Sequence, residues 1–255
     1  MRLKALAHPT VVEQIVIDAT SYLATVPWVK SVILVGSYSR GDSDEHSDID
    51  LVVVSDGPRL RSSFYALLPS RLRLDEVSIL PYPSNVFTGM YAEGTLFMAH
   101  VVNEGRIVYD DGYYEALERV PFKISAESVL TQWNMLKLRM ALFDDLSIYG
   151  RVFVDCLSHL YSILKNVAII ALAMKGQFEF NKRKALSRFA SEFPELKEDV
   201  NELCQLRSFY LIWHKSASIP QPFEPLNCRE KTQVFLTRLR RIIEKVEENE
   251  FDVRN

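Results

Sequence analysis

The chain has 255 residues, 48% of them hydrophobic and 25% charged, as expected for a soluble globular protein of one large or two modest domains. Its formal net charge of −3 provides no global basic field, which argues against a nucleic-acid partner without excluding a local basic groove. The most apolar stretch, residues 167–174, is too short to cross a bilayer, so we expect a cytoplasmic protein without a membrane segment.

The first half of the chain predicts a mixture of helices and strands. Apolar periodicity predicts helices at residues 9–23 and 94–103 and strands at residues 32–35, 49–54, 72–80 and 106–109. Gly36 should end the first strand and Gly105 the second helix, while Pro81 and Pro83 should close the third strand.

The second half of the chain predicts only helices, because glycines become sparse after about residue 122 and helical periodicity takes over. The expected helices cover residues 129–146, 152–174, 182–193, 197–215 and 229–248. We therefore predict an α+β fold, with a small mixed β-sheet domain at residues 1–122 and an all-α helical bundle at residues 123–255. The apolar stripe of the last helix could seal the bundle or form a homodimer contact.

An acidic pair opens the second predicted strand. Asp48 and Asp50 are two residues apart, so both carboxylates should project from one face of the sheet while Ile49 and Leu51 project from the other. Two adjacent carboxylates repel each other unless a cation lies between them, and hard oxygen ligands suit Mg²⁺. Upstream, the Gly36-Ser37 turn after a strand offers backbone N–H groups and a hydroxyl to phosphate oxygens.

A third carboxylate is expected on the strand that follows, where Asp75 and Glu76 are neighbours. If Val77 and Ile79 face the core together with Ile49, strand alternation puts Glu76 on the side of the aspartate pair. We therefore select Glu76, and Asp75 remains the alternative because strand boundaries are uncertain.

These residues carry a resemblance to a known family. The spacing Gly36-Ser37, ten residues, then Asp48-Ile49-Asp50 resembles the DNA polymerase β-type nucleotidyltransferase superfamily. The fuller segment GSYSRGDSDEHSDIDLVVV, which includes Arg40, is similar to the small bacterial branch of minimal nucleotidyltransferases and aminoglycoside adenylyltransferases. The segment EVSIL also resembles the third-acid strand of streptomycin and spectinomycin adenylyltransferases, which supports Glu76.

The resemblance implies a compact mixed sheet with helices on one face and two Mg²⁺ ions on the other. Asp48 and Asp50 would ligate both metals, and Glu76 would bind the second metal or act as general base. Ser37 would hold the terminal phosphates of an NTP, and Arg40 is either a further phosphate contact or a solvated surface charge. The implied reaction is in-line transfer of a nucleoside monophosphate, AMP from ATP being favoured.

The helical half also resembles parts of known proteins. In the adenylyltransferases a C-terminal helical bundle packs over the active site and helps to bind the acceptor. A related bundle, the HEPN domain, carries in its nucleases an arginine, four to six further residues and then a histidine. Arg207, six residues and His214 fit that spacing. Both would share a helix face, although the polar residue that usually follows the arginine is replaced by Ser208.

Three functions are consistent with this sequence. The preferred one is an enzyme that transfers a nucleotide to a hydroxyl of a small molecule such as an aminoglycoside. The alternatives are nucleotidylation of a protein or RNA by a toxin–antitoxin-type enzyme, and an RNase or non-catalytic module that uses the HEPN-like bundle. The complete acid triad argues against the non-catalytic alternative.

Overall fold

A computed structural model describes residues 10–44, 46–57, 64, 66, 68–72, 77–146, 153–215 and 229–251. The chain divides into two compact units, Met1–Ser125 and Ala126–Asn255. The first unit contains a β-sheet with helices and the second unit is helical in its described parts, so the predicted α+β fold is confirmed.

The sheet of the first unit is mixed, as predicted. Its strands are β1 (Val29–Val35), β2 (Ile49–Ser55), β3 (Val77–Pro83) and β4 (Arg106–Asp110), in the order β3-β2-β1-β4. Strand β1 runs antiparallel to both β2 and β4, whereas β2 and β3 are parallel. The acidic strand β2 therefore lies inside the sheet, between the strand that leads into Gly36 and the strand that follows Glu76 in the sequence.

Helices of the first unit surround this sheet. They are α1 (Val11–Leu23), α2 (Ser37–Arg40), α3 (Ser84–Ala92), α4 (Leu96–Glu104) and α5 (Tyr113–Glu118). Thr10 caps α1 through a capping box with Glu13, and Thr95 caps α4 by accepting a hydrogen bond from the Met98 N–H. Helices α3 and α5 were not predicted from the sequence.

Both faces of the sheet are covered, so the expectation of helices on one face only is wrong. Ile49, Leu51 and Val53 pack on one side in the same cluster as the buried residues of α1. Val52 and Val54 pack on the other side against residues of α3, α4 and α5. The reason is that β2 is apolar at successive positions, and a strand without polar alternation must be buried on both faces.

Strand β3 differs from its prediction at both prolines. The strand continues through Pro81 and Pro83, which pair with Val53 and Ser55 of β2. Proline is tolerated there because β3 is an edge strand, where a missing N–H need not interrupt a ladder on the outer side. Pro83 also precedes α3, so the chain turns from strand to helix without a loop.

The second unit contains α6 (Ala126–Ala141), α7 (Val154–Met174), α8 (Lys182–Glu192), α9 (Lys197–Cys204), α10 (Arg207–Lys215) and α11 (Arg229–Phe251). The single helix predicted at residues 197–215 is divided at Gln205-Leu206. The break gives the two segments different main partners, since α9 packs chiefly on α11 and also contacts α7 and α8, whereas α10 packs on α7.

Helix α7 is the core of the second unit. By length and composition it could cross a membrane, but 78% of its most apolar window is buried inside the protein. It is therefore a core helix around which the others pack. The apolar stripe of α11 is also buried within the unit, at Phe235, Leu239, Ile242, Ile243 and Val246. These side chains contribute to the core of the bundle, whereas Val234 of the same helix is exposed.

Candidate functional site

A tight turn follows the end of β1. Gly36 adopts φ +77° and ψ −154°, and the short helix α2 begins immediately after it at Ser37. The turn closes on itself through hydrogen bonds from the Arg40 N–H to the Gly36 carbonyl (3.1 Å) and from the Asp42 N–H to the Ser37 carbonyl (3.0 Å). The first N–H groups of a helix have no acceptor within the helix, so such a turn can offer them to an anion.

The turn lies directly against the acidic strand. Val35 pairs with Asp50 in the antiparallel β1–β2 ladder, which brings the next residue, Gly36, beside the Asp50 side chain. A Cβ atom at Gly36 would lie 3.0 Å from the Asp50 Oδ2 atom, so the carboxylate would have to move by a few tenths of an ångström to admit one. Glycine is thus favoured both by the positive φ and by the close approach of the carboxylate.

Asp48 lies immediately before β2, at the end of a polar loop, and is half-buried like Asp50 and Ser37. The loop is closed by Asp44, whose Oδ1 atom accepts hydrogen bonds from the His46 N–H and the Ser47 hydroxyl, both at 3.1 Å. The structure thus brings Gly36 close to Asp50. The hydrogen bonds of Asp44 also hold the loop that leads through Asp48 into β2.

The predicted third carboxylate cannot be placed. Glu76 and its alternative Asp75 lie in residues 73–76, outside the described part of the chain. Strand β3 begins directly afterwards at Val77, paired with Ile49, while Ser78 pairs with Asp50. Among the residues that the structure describes, no group of three or more His, Cys, Asp or Glu side chains could hold a metal ion.

Arg40 is engaged by two carboxylates of the same unit. Its Nε atom lies 3.1 Å from Asp42 Oδ1, and its Nη1 atom lies 2.7 Å from Glu104 Oε2. The Arg40 side chain is only 17% exposed, which does not fit a solvated surface charge. Burial would lower the pKa of Arg40, but the hydrogen bonds that Arg40 donates to Glu104 and Asp42 outweigh burial and raise it.

Glu104 is the last residue of α4 and the second partner of Arg40. His100, one turn earlier, places its Nε2 atom 3.2 Å from Glu104 Oε2. Burial would raise the pKa of Glu104, but hydrogen bonds from His100 and Arg40 together hold it below its ordinary value. The carboxylate therefore stays charged, although an acid at a helix C-terminus is disfavoured by the helix dipole.

Sequence reasoning missed Glu104, His100 and Asp42. One signal was available for Glu104, because an acid directly before the glycine that ends a helix needs a cationic partner. The identity of that partner was not predictable, since Arg40 is 64 residues away in sequence.

The residues singled out in the helical unit lie on α10. Arg207 is its first residue and His214 lies near its end. Between them, the Tyr210 ring packs 4.7 Å from the His214 ring and 5.6 Å from the Tyr161 ring. The ammonium of the buried Lys165 lies 3.6 Å from the centre of the Tyr210 ring. The pairing of Arg207 and His214 as an RNase site stays a prediction.

Comparisons with known proteins agree with this geometry. Residues 19–126 match the sequence model of the family described as nucleotidyltransferase domain. The fold is similar to that of the spectinomycin adenyltransferase AAD(9) from Enterococcus faecialis, solved with ATP and spectinomycin, at 14% identity and a TM-score of 0.52. That likeness covers 89% of this chain and 98% of the other, and it shows the fold alone.

Two further structures are less similar. A nucleotidyltransferase-like protein from Exiguobacterium sibiricum has 17% identity and a TM-score of 0.38, covering 90% of this chain and 73% of that one. A toxin–antitoxin structure with AMP-PNP has 20% identity and a TM-score of 0.29, covering 51% and 97%. These scores are too low to carry an argument. A comparison with curated proteins gave no match. Residues 19–126 therefore match a nucleotidyltransferase-domain model, and the fold is shared with an adenyltransferase.

Proposed function

We propose that this chain, whose residues 19–126 form a nucleotidyltransferase domain, transfers a nucleoside monophosphate from an NTP to a hydroxyl of a small molecule. The observation that carries the proposal is the contact between the Gly36 turn and Asp50. A phosphate-binding turn and a metal-binding carboxylate must be adjacent if both are to hold one polyphosphate. In this chain a Cβ atom added at Gly36 would lie 3.0 Å from the Asp50 Oδ2 atom.

The residues at this point fit Mg²⁺. Asp48 and Asp50 supply hard oxygen ligands, and Mg²⁺ takes phosphate oxygens as further ligands, which the Gly36 turn close to Asp50 would help to bind. We expect these two aspartates to hold two Mg²⁺ ions, and of the two roles open to Glu76 we propose that of general base. Bound Mg²⁺ would neutralise charge on the triphosphate and lower the pKa of the attacking hydroxyl.

The protein's own residues would orient the reactants. The hydroxyl of Ser37 and the N–H groups at the start of α2 would bind the terminal phosphates and so direct the α-phosphorus towards the acceptor. The acceptor oxygen forms a bond to the α-phosphorus, and the bond to the leaving pyrophosphate breaks. Glu76, as the expected general base, takes the proton of the acceptor hydroxyl.

ATP and a small-molecule acceptor are supported by the fold shared across both units. The enzyme that shares it was solved with ATP and spectinomycin, and the likeness extends over 89% of this chain, including the helical unit. Nucleotidylation of a protein or an RNA has no comparable support. We therefore propose AMP transfer from ATP to a hydroxyl of an aminoglycoside-like molecule.

The acceptor class can be determined by following the nucleotide. The protein is incubated with Mg²⁺, ATP labelled at the α-phosphate and separate pools of aminoglycosides, total cell protein and total RNA. We expect label on an aminoglycoside such as spectinomycin, and none when Asp50→Asn replaces the wild type. Glu115→Gln, which removes an exposed ion pair with Arg119 in the same unit, is the matched control and should transfer normally. Label on protein or RNA alone would refute the small-molecule acceptor.

A further inference from the structure

The Gly36 turn has a side-chain anchor outside itself. We infer that Glu104, at the end of α4, is a positioning residue that holds α2 through Arg40 and Ser39 and so sets the distance between Gly36 and Asp50. The inference rests on the proposed function, because it assigns to the nucleotide turn a support that lies away from the reacting atoms.

Glu104 holds the turn at two points. Its carboxylate accepts a hydrogen bond from the Arg40 Nη1 atom at 2.7 Å, and its backbone carbonyl accepts one from the Ser39 hydroxyl at 2.5 Å. The second contact satisfies one of the carbonyl groups that a helix C-terminus leaves without a partner. Two consecutive residues of α2 are therefore attached to one residue of α4.

The end of α4 that carries Glu104 is closely packed. Gly105 follows Glu104, and a Cβ atom there would collide with the Val101 carbonyl and lie 3.0 Å from Ile33 Cγ2. The end of α4 is therefore packed directly on β1, the strand that leads into Gly36. Arg106 then pairs with Leu34 in the ladder between β4 and β1. Glu104 is thus fixed relative to the same strand whose end it supports.

The same contacts change the role that we infer for Arg40. Its Nε and Nη1 atoms are both held by carboxylates, and one of these partners, Asp42, belongs to the turn itself. A guanidinium that already spans two partly buried carboxylates would have to break charge-assisted hydrogen bonds to contact a phosphate. Arg40 therefore acts on the nucleotide through the shape of the turn.

A double-mutant cycle separates positioning from direct phosphate contact. The variants are Arg40→Gln, Glu104→Gln and the two combined, and the measured quantity is the Kd for ATP in the presence of Mg²⁺. We expect each single change to raise the Kd about tenfold and the double change to raise it far less than the product of the two, because both single changes break the Arg40–Glu104 pair, although Arg40→Gln also breaks the pair with Asp42. Glu115→Gln is the control and should leave the Kd unchanged.

The opposite results are equally specific. If Arg40→Gln weakens binding while Glu104→Gln does not, Arg40 is a phosphate ligand and the inference is overturned. Hydrogen exchange of the amides in residues 36–42 gives a readout without nucleotide: Glu104→Gln should speed exchange there and Glu115→Gln should not. Unchanged exchange in Glu104→Gln overturns the inference. If the wild type binds no ATP while Glu104→Gln still exchanges faster than the wild type, only the proposed function is refuted.

Discussion

Gly36 is the residue on which the site geometry depends most directly. Its φ of +77° is a conformation that other residues adopt at a cost. The Asp50 Oδ2 atom also lies 3.0 Å from the position that a Cβ atom at Gly36 would take. Gly41, five residues later in the same turn, has the same φ of +77°, but a Cβ atom there would meet no other atom within 4 Å. The two glycines also differ in ψ, since Gly36 at −154° lies in a region essentially restricted to glycine, whereas Gly41 at 22° is left-handed helical.

We predict that Gly36→Ala strongly lowers nucleotide transfer, because Gly36 lies in a backbone region essentially restricted to glycine and the new methyl group would push the Asp50 carboxylate away by a few tenths of an ångström. Gly41→Ala should retain substantial activity, because its left-handed conformation costs an alanine about 1–2 kcal/mol of unfolding free energy and the methyl group meets no other atom. Urea unfolding and the transfer assay on both variants measure the two effects separately. Equal loss of activity in both variants would mean that strain, and not the position of Asp50, is responsible.

The ion pair of Glu104 predicts a pH dependence of stability. Its pKa in the folded protein lies below the ordinary value of 4.5, because hydrogen bonds from His100 and Arg40 outweigh burial. The stabilisation is thus fully present above pH 4.5 and is lost as the pH falls through the lower folded pKa. The difference in unfolding free energy between wild type and Glu104→Gln should therefore shrink below pH 4.5.

Urea unfolding of both proteins from about pH 6 to about pH 3 measures this difference. The same titration of Glu115→Gln, at an exposed pair, controls for general acid destabilisation. A difference between wild type and Glu104→Gln that stays constant across the range would show that the carboxylate gains nothing from its partners.

At the scale of elements, local periodicity predicted the long helices and the two central strands. The helix α5 escaped it, since six residues give too few turns for a periodic signal, and α3 was also missed. Pro81 and Pro83 misled the prediction for β3, because sequence does not reveal that a strand lies at the sheet edge. The break between α9 and α10 depends on packing against different helices, which is also a tertiary effect.

One buried carboxylate joins two of the helices in the second unit. Asp199 of α9 is 3% exposed and bonds to both Arg238 and Arg241 of α11. We predict that Asp199→Asn lowers the unfolding free energy by about 2 kcal/mol, because it leaves two arginines without their counter-charge while both stay partly hydrated. Thermal or urea unfolding measures the loss.

Glu248→Gln in α11 is the matched control for this change. It removes an exposed pair with Lys245 and should alter the unfolding free energy by less than about 0.5 kcal/mol. Similar effects of the two substitutions would show that Asp199 contributes no more than a surface charge.

At the scale of the whole molecule, the candidate site was predictable only where its parts are close in sequence. Gly36, Ser37, Asp48 and Asp50 lie within fifteen residues, so a strand–turn–strand pattern was sufficient to predict them as candidates. Glu104 joins the turn through an ion pair formed only after folding. The covering of both sheet faces was likewise hidden, because it depends on which helices return to the sheet.

The most direct test of the account is transfer from ATP labelled at either the α- or the γ-phosphate, with an aminoglycoside pool and cell extract as acceptors. We predict Mg²⁺-dependent label on the acceptor from α-labelled ATP only, release of pyrophosphate, and loss of both in Asp50→Asn. Label from the γ-phosphate, or α-label transfer that persists in Asp50→Asn or without a divalent metal, would contradict nucleotide transfer at the Gly36–Asp50 site.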